Sequence, residues 1–197
     1  MTYNVITTNN IDFSSARRAD ISCYKWGDGY EPNAYAQLIY VEGKGFALHM
    51  HCDETEPKAI YSNYNDPVYK DSCLEFFVSF NANLPLYMNF EMNSNGAFLS
   101  AVRTDRKNKT PIDRLCELPE VKSSRDANGW NVDVFFGLET IGKLFGECTF
   151  VKGSTFKGNF YKCGDETPRP HFGMWSPIDL PSADFHRPEF FGTFVIV

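Results

Sequence analysis

Apolar and polar side chains alternate with a period of two residues along most of this sequence. Between Leu86 and Asn93 the even positions are Leu, Met, Phe and Met, whereas the odd positions are Tyr, Asn, Glu and Asn. Successive side chains of a β-strand point to opposite faces, so this pattern predicts a strand with one apolar and one polar face. The same reasoning predicts strands over residues 34–41, 45–52, 72–80, 97–102, 129–136, 155–163 and 189–197.

Turn-forming residues separate these segments. Such joints are Gly27-Asp28-Gly29, Gly43-Lys44-Gly45, Asn95-Gly96, Asn128-Gly129 and Pro168-Arg169-Pro170. Helical spacing occurs once, at Leu138, Ile141, Leu144 and Phe145, and Gly146 follows it. Many short strands with such joints indicate an all-β fold, a β-sandwich of jelly-roll or immunoglobulin-like type. We expect one domain over residues 1–197, with two mainly antiparallel sheets and at most one short helix.

One stretch lacks the alternating pattern. Residues 103–128 are polar and hold seven of the nineteen basic residues of the chain, with five acidic residues interleaved. Interleaved charges are typical of a solvated surface. We expect a solvent-exposed loop there, with room for one edge strand.

Composition limits the classes of partner. The chain has 25 acidic and 19 basic residues and a net charge of −6, so no positive field attracts nucleic acid or an anionic membrane surface. Its six cysteines form no C-x-x-C pair, which favours reduced, buried thiols over a disulfide framework. The first residues carry neither a basic stretch nor an apolar run. We therefore expect a cytoplasmic location, or a secreted one if a signal peptide has been removed.

Two histidines suggest a metal site. His49 and His51 project to one face of a predicted strand, and acidic residues follow at 53, 54 and 56. A cupin-like centre would need a further histidine, and neither His171 nor His186 lies in a segment that supplies it. No metal ligand is assigned on this basis, although a metal-dependent enzyme stays open as an alternative.

Glu75 is the most unusual polar residue, because apolar residues flank it in a predicted strand. A carboxylate in such a place is costly unless its oxygens are hydrogen-bonded. Glu75 shares a strand face with Cys73, Phe77 and Ser79, a mixed set suited to lining a pocket. Glu91, on the polar face of its strand, could complete a glycosidase-like pair of carboxylates. The sequence does not give their separation, so a glycoside hydrolase is a second alternative.

Several aromatic residues lie in predicted loops. They include Tyr61, Tyr64 and Tyr69, in a segment rich in Asn, Asp and Pro, and Phe185 before the last strand. Such rings either pack on the surface of the core or stack on the apolar C–H face of a sugar. The second role also needs polar side chains for the hydroxyl groups at the rim of the sugar.

Four segments together resemble the family 9 carbohydrate-binding modules. They are Val68-Tyr69-Lys70-Asp71-Ser72-Cys73-Leu74-Glu75-Phe76-Phe77, Asn89-Phe90-Glu91-Met92-Asn93-Ser94-Asn95-Gly96, Gly173-Met174-Trp175-Ser176 and Arg187-Pro188-Glu189-Phe190-Phe191-Gly192. Their order and spacing are similar over about residues 20–197. The resemblance implies a β-sandwich that holds a sugar between two aromatic rings.

The resemblance also assigns site residues by position. It implies that Tyr69 and Phe185 are the two rings, that Glu75 grips sugar hydroxyls, and that the polar strand contributes Asn89, Glu91 and Asn93. Trp175 is expected to pack in the core. The rings in the family are typically tryptophans, and the arginine expected on the polar strand is missing from residues 89–93. Calcium occurs in the family, but no acidic loop corresponds here, so no cofactor site is assigned.

The sequence thus predicts non-catalytic binding of a mono- or oligosaccharide. A glycoside hydrolase using Glu75 and Glu91, a metal-dependent enzyme using His49 and His51, and a protein-interaction module are the alternatives. Neither nucleic acid nor a membrane is an expected partner.

Overall fold

A computed structural model describes all residues from Met1 to Val197. The chain forms fourteen β-strands and one α-helix. In chain order they are β1 (Thr2–Thr8), β2 (Ala19–Asp20), β3 (Cys23–Gly27), β4 (Ala34–Val41), β5 (Gly45–Cys52), β6 (Cys73–Ser79), β7 (Tyr87–Asn93), β8 (Phe98–Arg103), β9 (Lys109–Pro111), β10 (Val121–Asp126), β11 (Gly129–Gly137), α1 (Leu138–Phe145), β12 (Thr155–Cys163), β13 (His171–Met174) and β14 (Gly192–Ile196). Short 3-10 helices cover Val68–Lys70, Ile112–Arg114 and Pro188–Phe190.

The strands form two sheets that share β1. Sheet A has the order β9-β8-β7-β6-β12-β14-β1, and β13 and β3 extend it beside β12; sheet B has the order β10-β11-β5-β4-β1, with β2 beside β4. Residues 2–5 of β1 pair in parallel with β14, and residues 6–8 pair in parallel with β4. All other strand pairs are antiparallel. The prediction of an all-β sandwich is confirmed.

The main core lies between the inner faces of the two sheets. The even-numbered side chains of β6 and β7, such as Phe76 and Phe90, face Leu48, Trp130 and Phe136 of sheet B. Burial of such large rings is the dominant stabilising contribution in a sandwich. The period-two alternation therefore predicts which face of each strand is buried.

The helix forms as its spacing predicts. Ile141, Leu144 and Phe145 of α1 are buried. Gly146 ends the helix with a φ of 73°, a left-handed conformation that glycine adopts without steric strain. No helix of the structure is both long and apolar enough to cross a membrane.

Two parts of the chain differ from the expectation. Residues 103–128 contain two short strands rather than one, because β9 closes the edge of sheet A and β10 closes the edge of sheet B. The strand expected over 189–197 begins only at Gly192, after the 3-10 helix Pro188–Phe190.

The outer face of sheet A is covered by irregular chain rather than by solvent. The odd-numbered side chains of β6, β7 and β12 point to this face, and residues 176–191 and the 3-10 helix at 68–70 lie over it. A smaller apolar layer forms there, with Phe77, Tyr161, Met174 and Phe185 among its buried members. The covering segments do not close completely, and a cavity is left between them and the sheet.

Candidate functional site

The cavity on the outer face of sheet A has a volume of about 470 Å³. This falls within the range of about 300–1,000 Å³ that small-molecule sites occupy. Strands β6, β7, β8 and β12 supply its floor, and loops supply its walls. The lining residues are Asn65, Pro67, Tyr69, Glu75, Phe77, Glu91, Leu99, Arg103, Arg106, Lys109, Cys163, Asp165, Phe172, Ala183, Asp184, Phe185 and His186.

Four of the six residues predicted from the sequence line this cavity. Tyr69 lies on the 3-10 helix, Glu75 on β6, Glu91 on β7, and Phe185 in the loop before the last strand. Residues more than a hundred positions apart thus meet at one place. Asn89 and Asn93 are fully buried and do not line the cavity.

Glu75 and Glu91 stand side by side on the floor. They are directly opposite each other in the β6–β7 register, and their exposed fractions are 2% and 4%. The Cys163 thiol donates to Glu75 Oε1 at 2.9 Å, and Asn89 Nδ2 donates to Glu91 Oε1 at 2.9 Å. The second carboxyl oxygen of each glutamate has no hydrogen-bond partner within the protein. Each glutamate therefore retains hydrogen-bonding capacity at the cavity.

Burial changes the protonation of this pair. Removal from water raises the pKa of Glu75 well above its ordinary value, and the neighbouring Glu91 raises it further. Burial also raises the pKa of Glu91 to about 7, against the opposing effects of the Asn89 amide and the Arg103 guanidinium. Burial thus favours the protonated form of both carboxyl groups, relative to exposed glutamates. A protonated carboxyl group can donate one hydrogen bond and accept another, as a sugar hydroxyl requires.

Arg103 is a lining residue that the sequence analysis missed. Its side chain is buried at the end of β8, where Nε donates to Asn89 Oδ1 at 2.5 Å and Nη1 donates to the carbonyl oxygen of Arg106 at 2.7 Å. Asn89 thus links Arg103 to Glu91 beneath the cavity. The sequence predicts a strand that ends at residue 102. If the alternating pattern is continued by one residue, Arg103 falls on the same strand face as Leu99.

The aromatic wall contains one more ring than predicted. One face of Phe185 stacks on Tyr161, with ring centroids 4.1 Å apart and an interplanar angle of 10°. Phe172 meets Phe185 edge-on, with centroids 6.2 Å apart, and also lines the cavity. Tyr69 is only half-buried, so it offers more ring surface to a ligand than Phe185 does. The four-residue strand β13 that carries Phe172 is too short to show an alternating pattern.

Charged side chains surround the mouth. Arg106 Nη1 contacts Asp184 Oδ1 at 2.8 Å and so joins the β8–β9 loop to the loop that carries Phe185. Next to them, His186 Nδ1 and the Tyr87 hydroxyl are hydrogen-bonded at 3.1 Å. Burial, with the nearby cations Arg103 and Arg106, lowers the pKa of His186 to about 3. His186 is therefore a neutral part of the wall at physiological pH.

The comparisons with known proteins agree with this architecture. A family model described as carbohydrate-binding family 9 matches residues 5–196, nearly the whole chain. The chain belongs to carbohydrate-binding family 9. No curated protein sequence matches it at a significant level.

Solved structures show the same fold. A protein from Bacteroides uniformis ATCC 8492 that is named for carbohydrate binding aligns with a TM-score of 0.83 and 26% identity over 100% of this chain and 99% of that one. A family 9 carbohydrate-binding module from Caldicellulosiruptor kristjanssonii in complex with cellotriose aligns with a TM-score of 0.71 and 11% identity. The alignment covers 100% of this chain and 93% of that one. The complex of a family 9 module from the same organism with glucose aligns with a TM-score of 0.73 and 12% identity, over 100% of this chain and 96% of that one.

Asn93 stabilises the β7–β8 turn instead of facing the cavity. Its Nδ2 donates to Asp71 Oδ2 and to the carbonyl oxygen of Tyr61, each at 2.9 Å. Its Oδ1 accepts from the backbone N–H groups of Asn95 and Ala97. Asn93 thus supports the backbone around the cavity and does not itself line it.

The two strand histidines lie on the outer face of sheet B, away from the cavity. His49 Nδ1 contacts Asp133 Oδ1 at 2.8 Å, while His51 Nδ1 contacts Asn131 Oδ1 at 2.7 Å and its Nε2 contacts Asp53 Oδ1 at 2.9 Å. Asp133 and Asp53 contact one histidine each, and neither histidine belongs to a group of three potential ligand atoms that all lie within 4.8 Å of one another.

A different group of potential metal ligands lies beside the cavity. The ligand atoms of Cys73, Glu75 and Cys163 all lie within 4.8 Å of one another. Calcium, which the family resemblance implies, takes six to eight oxygen ligands. Two thiols and one carboxyl group do not fit that ion.

Proposed function

We propose that the cavity on sheet A binds a saccharide non-covalently. The observation that carries this proposal is the pair of buried carboxyl groups, Glu75 and Glu91, each with an unpaired oxygen in a cavity that aromatic rings flank. Membership of carbohydrate-binding family 9 supports it. Modules of the same fold in complex with cellotriose and glucose support it further.

Each lining group has a distinct part in this proposal. Tyr69 stacks on the apolar face of a sugar ring, where its exposed surface replaces water. Glu75 and Glu91 exchange hydrogen bonds with hydroxyl groups, and Arg103 donates to a third. Phe185 supplies the opposite wall. Asn89 acts from beneath, because it fixes the orientation of both Glu91 and Arg103.

Glu75 and Glu91 are poorly arranged for glycoside hydrolysis. In glycosidases the two carboxyl groups flank the bond to be cleaved, one as an acid and the other as a nucleophile or base. Here both rise from adjacent strands of one floor, and burial raises the pKa of each. A nucleophile must be ionised, which this environment disfavours. We therefore expect binding without turnover.

Isothermal titration with glucose, cellobiose, cellotriose and a panel of other small saccharides tests the proposal. Tyr69→Ala and Glu75→Gln should each weaken the affinity for the bound sugar about tenfold or more, or roughly 1.4 kcal/mol. Tyr35→Ala is the matched control, because Tyr35 is a half-buried tyrosine on sheet B outside the cavity. Its affinity should equal that of the wild type.

Melting temperatures decide whether the losses are specific. Tyr69→Ala and Glu75→Gln should melt within a few degrees of the wild type, since neither ring nor carboxyl group lies in the main core. Failure of every saccharide to bind would point instead to a protein-interaction surface. Release of product from chromogenic glycosides, abolished in Glu75→Gln, would establish a hydrolase.

A further inference from the structure

The buried thiols next to Glu75 have no role in saccharide binding as proposed above. Cys73 on β6 and Cys163 on β12 are direct partners in the register of these strands, so their side chains emerge side by side on the outer face of sheet A. Both are buried, and Glu75, two residues after Cys73, emerges on the same face. The Cys163 Sγ to Glu75 Oε1 distance is 2.9 Å.

We propose that Cys73, Glu75 and Cys163 form a binding site for a thiophilic divalent cation. Among such ions, Zn²⁺ suits the geometry of the three side chains best. This site goes beyond saccharide binding and uses two residues that the saccharide proposal does not need.

The donor set selects the ion. Thiolate sulfur prefers Zn²⁺ and other soft or borderline cations over Ca²⁺ and Mg²⁺. Binding displaces the protons of the two thiols and of the Glu75 carboxyl group, which leave to solvent through the cavity. Zinc binds Cys sulfur at about 2.3 Å and carboxylate oxygen at about 2.0–2.2 Å in tetrahedral geometry. Ligand atoms that already lie within 4.8 Å of one another need only small side-chain rotations to reach a common centre. The two strands hold their positions because seven consecutive residue pairs join β6 to β12.

The cavity supplies both an entry path and the fourth coordination position. Cys163 and Glu75 line the cavity, whereas Cys73 lies behind them with no exposed surface. An ion held by these three side chains thus has its free position towards the cavity, where a water molecule completes the tetrahedron. Three protein ligands and one open position distinguish such a site from a closed structural one.

Cobalt substitution reports the ligand set directly. The full chain, kept reduced with a phosphine and freed of metal, is titrated with Co²⁺ and then with Zn²⁺. One equivalent of Co²⁺ should produce thiolate-to-cobalt charge-transfer absorption and the intense visible bands of tetrahedral coordination, and Zn²⁺ should abolish both. This spectrum of the wild-type protein does not depend on any variant folding. Absence of the charge-transfer absorption would overturn the proposal.

Variants locate the ion. Cys163→Ser and Glu75→Gln should bind Zn²⁺ roughly tenfold or more weakly in equilibrium dialysis with metal analysis. The double variant Cys116→Ser/Cys148→Ser removes two half-buried thiols outside the group and should bind one equivalent as tightly as the wild type. The double variant His49→Ala/His51→Ala should do the same. Loss of binding in either control, with binding retained in Cys163→Ser, would place the ion elsewhere and refute the site.

Alkylation provides a second readout where a variant folds poorly. With Zn²⁺ bound, Cys73 and Cys163 of the wild type should resist iodoacetamide in mild denaturant, while Cys116 and Cys148 react at the same rate with and without the ion. Equal reactivity of Cys73 and Cys163 with and without Zn²⁺ would contradict the proposal. Saccharide titrations of the same samples are read separately, so failure of the metal site leaves the saccharide result intact.

Discussion

Two buried asparagines on the same face of β7 have different neighbours. Asn89 bridges Glu91 and Arg103, which both line the cavity. Asn93 instead hydrogen-bonds Asp71 and the backbone of the following turn. The resemblance to the carbohydrate-binding modules implies a binding role for both, but their hydrogen bonds differ. We therefore expect substitution of Asn93 to lower stability alone, and substitution of Asn89 to lower both stability and saccharide affinity.

Asn93→Ala should lower the free energy of unfolding by about 1–3 kcal/mol, because it leaves buried partners without hydrogen bonds. Saccharide affinity should be unchanged at a temperature where the variant is folded. Asn89→Ala should lower both quantities, since Glu91 and Arg103 lose their shared partner. Urea unfolding and isothermal titration measure the two effects. A tenfold loss of affinity in Asn93→Ala would mean that this side chain contacts the sugar after all.

His186 should make the stability of the protein depend on pH. Its pKa is about 3 in the folded protein and about 6.5 in an unfolded chain. Above pH 6.5 the ring is neutral in both states, and its contribution to stability is fully present. As the pH falls below 6.5, only the unfolded chain binds the proton, so stability declines by up to about 1.4 kcal/mol per pH unit.

The variant His186→Gln removes this titration while retaining an acceptor for the Tyr87 hydroxyl. Between pH 6.5 and 5.0 the wild type should lose about 1.6 kcal/mol more stability than the variant. Urea unfolding at both pH values measures the difference, and the carboxyl groups common to both proteins cancel in it. Parallel pH profiles would show that His186 is accessible to protons in the folded state.

Single residues of the site were predictable to different degrees. Glu75 stands out in the sequence because a carboxylate among apolar strand residues needs a special environment. Tyr69 and Phe185 are identified only through the family resemblance. Arg103 lies one residue beyond the predicted strand, and Phe172 lies on a strand of only four residues that shows no alternation, so local pattern connects neither side chain to the cavity. Their assignment needs the tertiary structure.

At the scale of elements, β1 joins the two sheets. Its first half pairs with the last strand, β14, and its second half pairs with β4. Tyr3 on β1 is buried in the main core, and its hydroxyl donates to the carbonyl oxygen of Arg17 at 2.6 Å and accepts from Leu38 N–H at 3.0 Å. This side chain therefore bonds to β4 from the half of β1 that belongs to sheet A.

Tyr3→Phe keeps the ring and removes only the hydroxyl group. The Leu38 N–H then lies buried without an acceptor, so the free energy of unfolding should fall by about 1–3 kcal/mol, or roughly 2–12 °C in melting temperature. Differential scanning calorimetry measures the shift. Tyr40→Phe serves as the control, because the Tyr40 hydroxyl contacts only the turn residue Gly43 at 3.2 Å. An equal shift in both variants would contradict the role of Tyr3 as a link between the sheets.

Elements were predictable where alternation is regular and long. Strands β4, β5, β6, β7, β11 and β12 all have seven or more residues, and each was predicted to within two residues at either end. The alternation of β1 is short, because Tyr3 and Val5 are its only fully buried residues and Ile6 and Thr7 interrupt the pattern after them. The pairing of β1 with both sheets depends on chain segments far apart in the sequence, which no local pattern records.

At the scale of the whole molecule, a buried ionic network joins segments from both sheets. Lys162 on β12 is fully buried, and its Nζ contacts Glu54 Oε2 at 3.2 Å, Ser72 Oγ at 3.0 Å and His171 Nε2 at 2.6 Å. Glu54 follows β5 of sheet B and also accepts from Trp130 Nε1 at 3.3 Å. Burial alone would raise the pKa of Glu54, but the Lys162 ammonium and the Ser72 hydroxyl hold it below its ordinary value.

Removal of one partner should therefore be more damaging than removal of both. Lys162→Met leaves the Glu54 carboxylate buried without its cation, and the free energy of unfolding should fall by about 3–5 kcal/mol. The double variant Lys162→Met/Glu54→Gln leaves no uncompensated charge and should recover most of that loss. Urea unfolding of the wild type, both single variants and the double variant gives the coupling energy of the pair. Additive losses would show that Lys162 and Glu54 contribute independently to stability. In that case the ionic network would not join the two sheets at this end of the sandwich.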